Sequence, residues 1–559
     1  MSHLFILTVG PVQSFIEASR KMKDMLAASR ILSQTVYIAI DWLRDPQNSP
    51  GQKPATIIFP VVSDTPTQGL NIPNRLIAQF DDRSDEELIA VGQQLSMYIR
   101  SKFGELCKSI LEKGSVNEVG IQLAETQLAD FLEIYWLFEP YDANTSDGYI
   151  TAYNKLYDDI QAVKNIRPFA QTAEPWSRKC TLFPEYNAIF VRQNDQGRYP
   201  HYVNERHMCP LTVSDAVLKP NEALSAIALV KRLYEANELQ LHSLRLMMLK
   251  SRCQGKLPLD EVSDEIANVI YDCYNGNIPD PAVYSLQTID QAAKPYRAIK
   301  EQHIALSSYY ALIKFDGDNM GEVFRKQLTT PAKHRDLSQK LSEFAQQAPE
   351  ILLAQQGLPV YAGGEDFFGF LPLDTLFTAL QELNRCFHET TGLTFSAGIA
   401  IAHLMQPLKD VIAEADRQEK TAKALTDKHA FALGLLKRSG ESVALPAYHL
   451  SAESPNLTHL QKLVTDLKDS AYSKSLLYNI TQLLEKLRHG STPPASDLVE
   501  VLLRDLISGS DIVSPAIAES LCQDLLLFYN TCTQRMKTDG LQAFLNTLNA
   551  AAFIAREVL

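Results

Sequence analysis

The sequence predicts an α+β fold with two ferredoxin-like units, a mainly helical middle domain and a helical C-terminal domain. Strand and helix patterns alternate between residues 3 and 139, and the alternation returns between 309 and 426. From about residue 446 to the last residue the apolar positions follow a helical period. Alternating elements are typical of a sheet covered by helices, whereas an uninterrupted helical pattern favours a helix bundle.

The first ferredoxin-like unit is predicted over residues 1–165, with the order β-α-β-α-β. Gly10-Pro11 ends the first strand, because proline cannot donate to a strand ladder. The predicted elements of this unit are a strand at 3–9, a helix from 12 to about 43, a strand at 54–62, a helix at 85–112 and a strand at 131–139. This order favours a ferredoxin-like α+β domain.

Three further domains are predicted after the first unit. Residues 166–300 are irregular and then helical, and residues 446–559 are helical. Between them, residues 301–445 predict a strand at 309–315, a helix at 319–355, a hairpin around Gly363-Gly364, a helix at 374–390, a strand at 393–403 and a helix at 407–426. This β-α-β-β-α-β order is the palm layout of many nucleotidyl transferases and cyclases.

Composition narrows the class of protein. The net charge of -13 gives no sign of nucleic-acid binding by the chain as a whole, so any such contact would need a local basic patch or a partner. The 8 cysteines include no Cys-x-x-Cys pair, which favours a reduced, cytoplasmic protein. The N-terminus lacks a basic flank and a cleavage site, and no apolar run could span a bilayer, so we expect no membrane association.

Two acidic pieces predict a metal site. Asp316-Gly317-Asp318 follows an apolar strand, and Glu365-Asp366 follows the Gly363-Gly364 turn between two apolar runs. Carboxylates at strand ends suit Mg²⁺ or Mn²⁺, and neighbouring glycines let phosphate approach the backbone. Two such ions could serve a phosphoryl transfer. Either piece alone is typical of a solvated turn, but both together favour the metal site.

The chain resembles the large palm-domain subunit of type III-B (Cmr) CRISPR effector complexes, an antiviral defence system. Six segments carry the resemblance, in the family's order along the chain. They are Val9-Gly-Pro-Val-Gln-Ser-Phe-Ile16, Leu26-Ala-Ala-Ser-Arg-Ile-Leu-Ser33, Asp316-Gly-Asp-Asn-Met-Gly321, Tyr361-Ala-Gly-Gly-Glu-Asp366, Ser396-Ala-Gly-Ile-Ala-Ile401 and Leu435-Leu-Lys-Arg-Ser-Gly-Glu441. The ordered set is specific, although each segment by itself is weak.

The resemblance implies a protein that works with other Cmr-type subunits, a guide RNA and a target RNA. When target RNA pairs with the guide, the palm site of the family joins ATP into cyclic oligoadenylate messengers. Asp316, Glu365 and Asp366 match the family's metal-binding acids, and Gly363 and Gly364 match its turn. Asp318 matches a frequent acidic position of less certain role.

A second resemblance concerns nucleotide binding. The helix segment Ala415-Asp-Arg-Gln-Glu-Lys-Thr-Ala-Lys423 resembles the diguanylate cyclase helix that offers a lysine to nucleotide phosphates. Lys420 and Lys423 share a helical face, although a solvated face explains Lys420 equally well. Ser396 is expected on the strand that lines the same cleft, and Gly317 lies beside the first acid.

Three departures from the family shape the expected activity. Glu365 stands where the family hairpin has its first aspartate; it keeps the charge and adds one methylene, so activity is expected to be retained. The chain has no His-Asp dipeptide, so no nuclease activity is expected. Cys180, Cys209, His201 and His207 could form an improvised zinc site, but ordinary buried thiols are favoured, because structural zinc sites use closely spaced ligand pairs.

Two alternatives to cyclic oligoadenylate synthesis stay open. The palm could bind ATP without turning it over and serve as a scaffold, which Glu365 and the missing His-Asp motif favour. It could also transfer adenylate to a different acceptor, such as S-adenosylmethionine, as some relatives are thought to do.

Overall fold

The computed structural model describes residues 2–48, 54–62, 71–166, 177–194, 196–204, 206–214, 217–234, 243–281, 283–451, 456–469, 471–487, 493–510, 514–536 and 539–558. Helices and strands are both abundant, which confirms the predicted α+β class. Within these ranges no helix is long and apolar enough to cross a membrane.

The elements before residue 235 form two small sheets and six helices among the described residues. They are β1 (Ser2–Gly10), α1 (Gln13–Glu17), α2 (Met22–Arg44), β2 (Thr56–Phe59), β3 (Arg75–Asp81), α3 (Asp85–Lys113), α4 (Glu118–Leu128), β4 (Glu133–Tyr141), α5 (Gly148–Asn165), β5 (Phe190–Arg192), β6 (Cys209–Leu211), β7 (Ala223–Leu224) and α6 (Ala226–Leu233).

The later elements form a larger sheet and most of the remaining helices. They are α7 (Leu244–Cys253), α8 (Asp264–Tyr274), α9 (Leu286–Glu301), β8 (Tyr309–Gly317), α10 (Met320–Glu322), α11 (Pro331–Ala354), β9 (Leu358–Ala362), β10 (Asp366–Pro372), α12 (Leu376–Thr391), β11 (Phe395–His403), α13 (Leu408–Lys423), β12 (Ala430–Leu436), β13 (Ser442–Ala444), β14 (Tyr448–His449), α14 (Asn456–Lys468), α15 (Lys474–Lys486), α16 (Ser496–Ser508), α17 (Pro515–Arg535) and α18 (Gly540–Val558).

Backbone contacts divide the chain into two compact units. The N-terminal unit comprises Met1–Leu241, Asn319–Gln346 and Val360–Gly364. The C-terminal unit comprises His242–Asp318, Gln347–Pro359 and Glu365–Leu559. The four-domain division expected from the sequence stays a prediction.

The main sheet of the N-terminal unit has four antiparallel strands in the order β2-β3-β1-β4. The sequence prediction missed β3, so the observed order is β-α-β-β-α-β rather than β-α-β-α-β. Leu76, Ile77 and Ala78 are all buried, so this central strand lacks the alternation that marks a half-buried strand.

The long helix predicted from Val12 to about Leu43 is in fact two helices, α1 and α2. The buried Lys231 of α6 explains the break. Its Nζ donates hydrogen bonds to the carbonyls of Phe15 and Ala18 at 2.6 and 2.9 Å, so it takes the carbonyls that a continuous helix would use. This contact is long-range and could not be found by a local pattern.

The middle segment is less purely helical than predicted. Strands β5, β6 and β7 form a three-stranded sheet before the helices α6 to α9 begin. These strands are only two or three residues long, too short for a recognisable sequence period.

The larger sheet has the strand order β13-β12-β11-β8-β10-β9, and β14 pairs with β12. The predicted hairpin is confirmed as β9 and β10, and α13 connects the parallel strands β11 and β12. The helix expected over 319–355 breaks before Pro331, where the Thr330 hydroxyl accepts a hydrogen bond from the Lys333 backbone.

Candidate active site

Asp316 and Asp366 lie opposite each other on adjacent antiparallel strands. Asp366 is the first residue of β10, and the register pairs it with Asp316 near the end of β8. On the other side of β8, Ser396 of β11 also pairs with Asp316. Opposed residues of this kind share a face of the sheet and have neighbouring side chains. The structure therefore brings the two acidic pieces together; we call the Asp316–Asp366 pair the acidic edge.

Successive side chains of β8 point alternately to the hydrophobic core and to the face that carries the acidic edge. The Phe315 ring stacks on Phe367 at 5.0 Å and on Phe395 at 3.9 Å between ring centroids, which fixes the strand end against both neighbours. Lys314 and Asp316 flank Phe315 and so point to the opposite face. That face is the one covered by α13.

Two glycines allow α13 to lie directly on the sheet. A Cβ atom on Gly398 of β11 would lie 2.1 Å from the carbonyl oxygen of Ala415 and 2.3 Å from the backbone nitrogen of Glu419. A Cβ atom on Gly434 of β12 would lie 1.8 Å from Oε1 of Glu414. Close backbone approach explains why glycine is needed at both strand positions.

The approach of α13 places an alternating charge network beside the acidic edge. The Nζ atom of Lys423 donates to Oδ2 of Asp316 and lies 3.3 Å from Oε1 of Glu419. The Nζ atom of Lys314 lies 2.5 Å from Asp416 and 3.6 Å from Glu419. Glu419 thus connects the two lysines.

Burial adjusts the proton affinities in this network. Burial, with the charges of Lys428 and Lys314, lowers the pKa of Lys423 to about 8. Burial also raises the pKa of Glu419, aided by the negative charge of Asp366 and opposed by Lys314. The network therefore holds opposite charges that are partly shielded from water.

Sequence reasoning missed Lys314, Asp416 and Glu419. A signal existed for each of them. Lys314 precedes Asp316 by two residues on a strand, and Asp416, Glu419 and Lys423 follow a spacing of three and four on one helix. Both patterns place the side chains on one face.

Asp318 is buried and fully engaged within the protein. Its Oδ1 accepts from the Ser396 hydroxyl at 2.7 Å, and its Oδ2 accepts from the Thr394 hydroxyl and the His429 backbone nitrogen, each at 2.9 Å. These bonds fasten the end of β8 to β11 and to the start of β12. They give Asp318 and Ser396 a structural role, and their contact with nucleotide stays a prediction.

Glycines form the hairpin turn, and Glu365, the next residue, is bonded to the end of β8. Gly364 has φ +88°, the left-handed region that favours glycine, and a Cβ atom on Gly363 would lie 1.8 Å from the Tyr361 hydroxyl oxygen. The Gly317 nitrogen donates to the carbonyl oxygen of Glu365 at 3.1 Å. Glu365 is half-buried and Asp366 is exposed.

The remaining predicted residues differ in position. Lys420 is exposed on α13, and Lys423 alone of the two lysines reaches the acidic edge.

Among the described residues, no three His, Cys, Asp or Glu side chains are close enough to hold a metal ion. The acidic edge consequently offers a pair of carboxylates in register, to which Glu365 is adjacent in the chain.

The cysteines considered for zinc lie in the core of the N-terminal unit. The sulfur of Cys180 accepts from the backbone nitrogens of Leu182 and Phe183, each at 3.4 Å, and Cys209 donates to Asn117. Burial raises the pKa of the Cys209 thiol, which disfavours the thiolate form that zinc requires.

Comparisons with known proteins match two parts of the chain to one family. Residues 309–432 match the second palm domain of Cas10/Cmr2, and residues 4–111 match the N-terminal region of CRISPR-associated protein Cmr2. The chain is therefore similar to Cas10/Cmr2 proteins over these two segments. The resemblance stated from the sequence motifs is thereby confirmed, and the first match includes Asp316, Glu365, Asp366 and Lys423.

Individual relatives show the same similarity. The Cmr subunit Cmr2 of Pyrococcus furiosus is 22% identical over 627 residues, an alignment that covers 90% of this chain and 68% of the relative. A type III-B Cmr-beta chain in the apo state has a TM-score of 0.65 at 13% identity, covering 92% of this chain and 78% of that one.

Two further solved structures share the fold. A Cmr-beta chain from the complex bound to cognate target RNA has a TM-score of 0.63 at 13% identity and covers 100% of this chain and 83% of its own. A chain of the Csm1–Csm4 cassette in complex with pppApApA has a TM-score of 0.50 at 14% identity, covering 100% and 69%.

Proposed function

We propose that this chain is the nucleotidyl transferase of a type III-B CRISPR effector complex and joins ATP into cyclic oligoadenylates when target RNA is bound. The observation that carries the proposal is the pairing of Asp316 with Asp366, with the Lys423 ammonium already on Asp316. Partner subunits, guide RNA and target RNA belong to the proposal; a fold relative solved with target RNA and another with pppApApA support it.

The proposed domain assignment follows the strand order. The sets β4-β1-β3-β2 and β11-β8-β10-β9 have the order of a ferredoxin-like sheet. We assign them to palm domains within residues 1–165 and 301–445, separated by a middle domain at 166–300 and followed by a helical domain at 446–559.

The acidic edge suits a hard divalent cation. Asp316 and Asp366 offer oxygen ligands, and the ion pair to Lys423 demonstrates that this edge attracts positive charge. Mg²⁺ usually uses one or two protein carboxylates and takes its other ligands from phosphates and water. When bound, Mg²⁺ or Mn²⁺ would lower the pKa of the attacking ribose 3′-hydroxyl and neutralise charge on the phosphates.

The protein's own groups would orient the nucleotide. Asp316, Glu365 and Asp366 would hold the cation. The Lys423 ammonium would leave Asp316 and bind the triphosphate, on which a lysine acts as a point charge. Glu419, one helical turn before Lys423, keeps the ammonium close during this exchange. The Gly363-Gly364 turn leaves room for phosphate beside the hairpin backbone.

The alternative of an ATP-binding scaffold is favoured by one observation. The described residues contain no cluster of three potential metal ligands. A change of product, such as an ATP–S-adenosylmethionine conjugate, is a third candidate with the same acids. The proposal includes no DNA cleavage, since the sequence has no His-Asp dipeptide.

Mass spectrometry of reaction products distinguishes these candidates. The assembled complex would receive target RNA, ATP and Mn²⁺, with and without S-adenosylmethionine. Cyclic oligoadenylates that disappear in Asp316→Asn support the proposal, and Asp410→Asn, an exposed acid at the start of α13, is the matched control. A conjugate would identify the third candidate, and ATP binding without product would identify the scaffold.

A further inference from the structure

The N-terminal sheet carries a basic residue at the position that Asp366 occupies in the larger sheet. Arg75 is the first residue of β3 and pairs with Thr8 of β1. In the same way, Asp366 is the first residue of β10 and pairs with Asp316 of β8. The two sheets share their strand order, so Thr8 and Arg75 are the counterparts of the acidic edge.

Two further cations surround Arg75. The Tyr157 ring of α5 contacts two guanidinium groups, with the Cζ atoms of Arg75 and Arg325 at 4.9 and 4.7 Å from the ring centroid. Lys164, two helical turns after Tyr157, is half-buried, and the charge of Arg75 adds to the effect of burial in lowering its pKa. We call Arg75, Lys164 and Arg325 the basic cluster.

The positive charge of this cluster is incompletely balanced. Arg325 pairs with the exposed Asp158, and Glu133 favours the charged form of Lys164. Within the described part of the chain, Arg75 makes no ion pair. Its guanidinium makes a cation–π contact with the Tyr157 ring. A half-buried cation without a carboxylate destabilises the folded protein unless an anion binds.

A buried hydroxyl provides a second, independent observation. Thr8 is 2% exposed, and its Oγ1 has no hydrogen-bond partner among the described residues. Because Thr8 and Arg75 are opposed in an antiparallel pair, their side chains share a face of the sheet. An unused donor therefore lies on the same face as an unpaired guanidinium.

We propose that the basic cluster binds a phosphate group of a nucleotide or a nucleic-acid backbone. Guanidinium groups bind phosphate in a bidentate manner, and Lys164 adds a point charge. The Cζ atoms of Arg75 and Arg325 lie 4.9 and 4.7 Å from the Tyr157 ring centroid, so both guanidinium groups are held on α5. We expect the site to recognise phosphate through these cations, independently of nucleotidyl transfer at the acidic edge.

Calorimetric titration of the full chain with inorganic pyrophosphate tests the proposal. A chelator removes divalent metal, so metal-dependent binding at the acidic edge does not contribute. Arg75→Gln and Arg325→Gln should each weaken pyrophosphate binding about tenfold or more, since each removes a charge-assisted contact. The exposed Arg385 on α12 provides the control Arg385→Gln, which should bind like the wild type.

Competition experiments define the chemistry and the source of the phosphate. ADP should displace pyrophosphate, whereas adenosine should not. Displacement by a short oligoadenylate RNA at lower concentration than ADP would assign the site to a nucleic-acid backbone, and the reverse order would assign it to free nucleotides.

Thermal melting verifies that the variants fold and gives a second readout. Pyrophosphate should raise the Tm of the wild type and of Arg385→Gln but not that of Arg75→Gln. Unchanged binding in both arginine variants, or displacement by adenosine, would overturn the proposal. Asp316→Asn should retain pyrophosphate binding in metal-free buffer, so failure of the proposed catalysis and failure of this site give different results.

Discussion

The four-stranded sheet of the N-terminal unit and four strands of the larger sheet have the same strand order but opposite charge at the same position. In the N-terminal sheet, Thr8 pairs with Arg75; in the larger sheet, Asp316 pairs with Asp366. The backbone places a pair of side chains at each strand end, and the sequence decides whether that pair attracts cations or anions. The difference teaches that a shared topology does not imply a shared chemistry.

The faces over these two pairs are also covered differently. At the acidic edge, α13 lies close because Gly398 has no side chain, and it contributes Lys423 and Glu419. In the N-terminal unit, Tyr157 of α5 contacts two arginines. One site therefore has a partly buried cluster of acids and lysines, whereas the other has an aromatic ring in contact with cations.

The largest effect is expected from neutralising the acidic edge. Asp316→Asn and Asp366→Asn should each lower ATP turnover by the activated complex about 10³-fold or more, because each removes a charged oxygen ligand. Radiolabelled ATP assays with Mn²⁺ measure this, and Asp410→Asn should keep wild-type turnover. Wild-type turnover in both Asp316→Asn and Asp366→Asn would contradict the catalytic role proposed for the acidic edge.

A smaller effect, on stability, is expected at Gly398. Gly398→Ala would drive a Cβ atom into the backbone of α13, so we expect a loss of about 3 kcal/mol in the free energy of unfolding. Gly434→Ala meets only the Glu414 side chain and should cost about 1 kcal/mol. Urea unfolding of both variants measures the pair, and equal losses would contradict the close approach of the helix backbone.

Lys423→Met should distinguish the effect of this lysine on ATP from its effect on the metal-binding acid Asp316. We expect the KM for ATP to rise about tenfold or more, because a charge-assisted phosphate contact is lost. Mn²⁺ binding without ATP should become tighter, since no ammonium competes for Asp316. Kinetics and Mn²⁺ titration test both parts, with the exposed Lys420→Met as control; weaker Mn²⁺ binding would show that Lys423 does not compete.

A further effect on stability is a pH dependence in the N-terminal unit. Burial, aided by Arg75, lowers the pKa of His334 to about 3. The unfolded chain takes up a proton below a pKa of about 6.5 and the folded chain does not, so stability falls between these values as pH decreases. At pH 5 the loss is about 2 kcal/mol relative to neutral pH.

Thermal melting at pH 7.5 and pH 5 tests this expectation. His334→Phe should lose less stability on acidification than the wild type, because the buried titrating group is gone. The exposed His388→Gln should behave as the wild type. An equal loss in all three proteins would assign the acid sensitivity to other groups.

Several elements were predicted from the sequence because their signals are local. The hairpin of β9 and β10, the strand β8 and the helix α13 follow from apolar periods and turn residues close in the chain. β3 was missed because both of its faces are buried. The break between α1 and α2 was missed because Lys231, more than two hundred residues away, takes the helix carbonyls.

Local patterns in the sequence were sufficient to predict the resemblance to the Cmr subunit family, the α+β class and the two acidic pieces, because these are encoded in residues adjacent along the chain. Three relations became visible only in the folded chain: Asp316 faces Asp366, Asp318 is held by Thr394 and Ser396, and Arg75 takes the corresponding place in the other sheet. Strand register and helix docking join residues far apart in sequence, so side-chain partners follow from packing rather than from any local pattern.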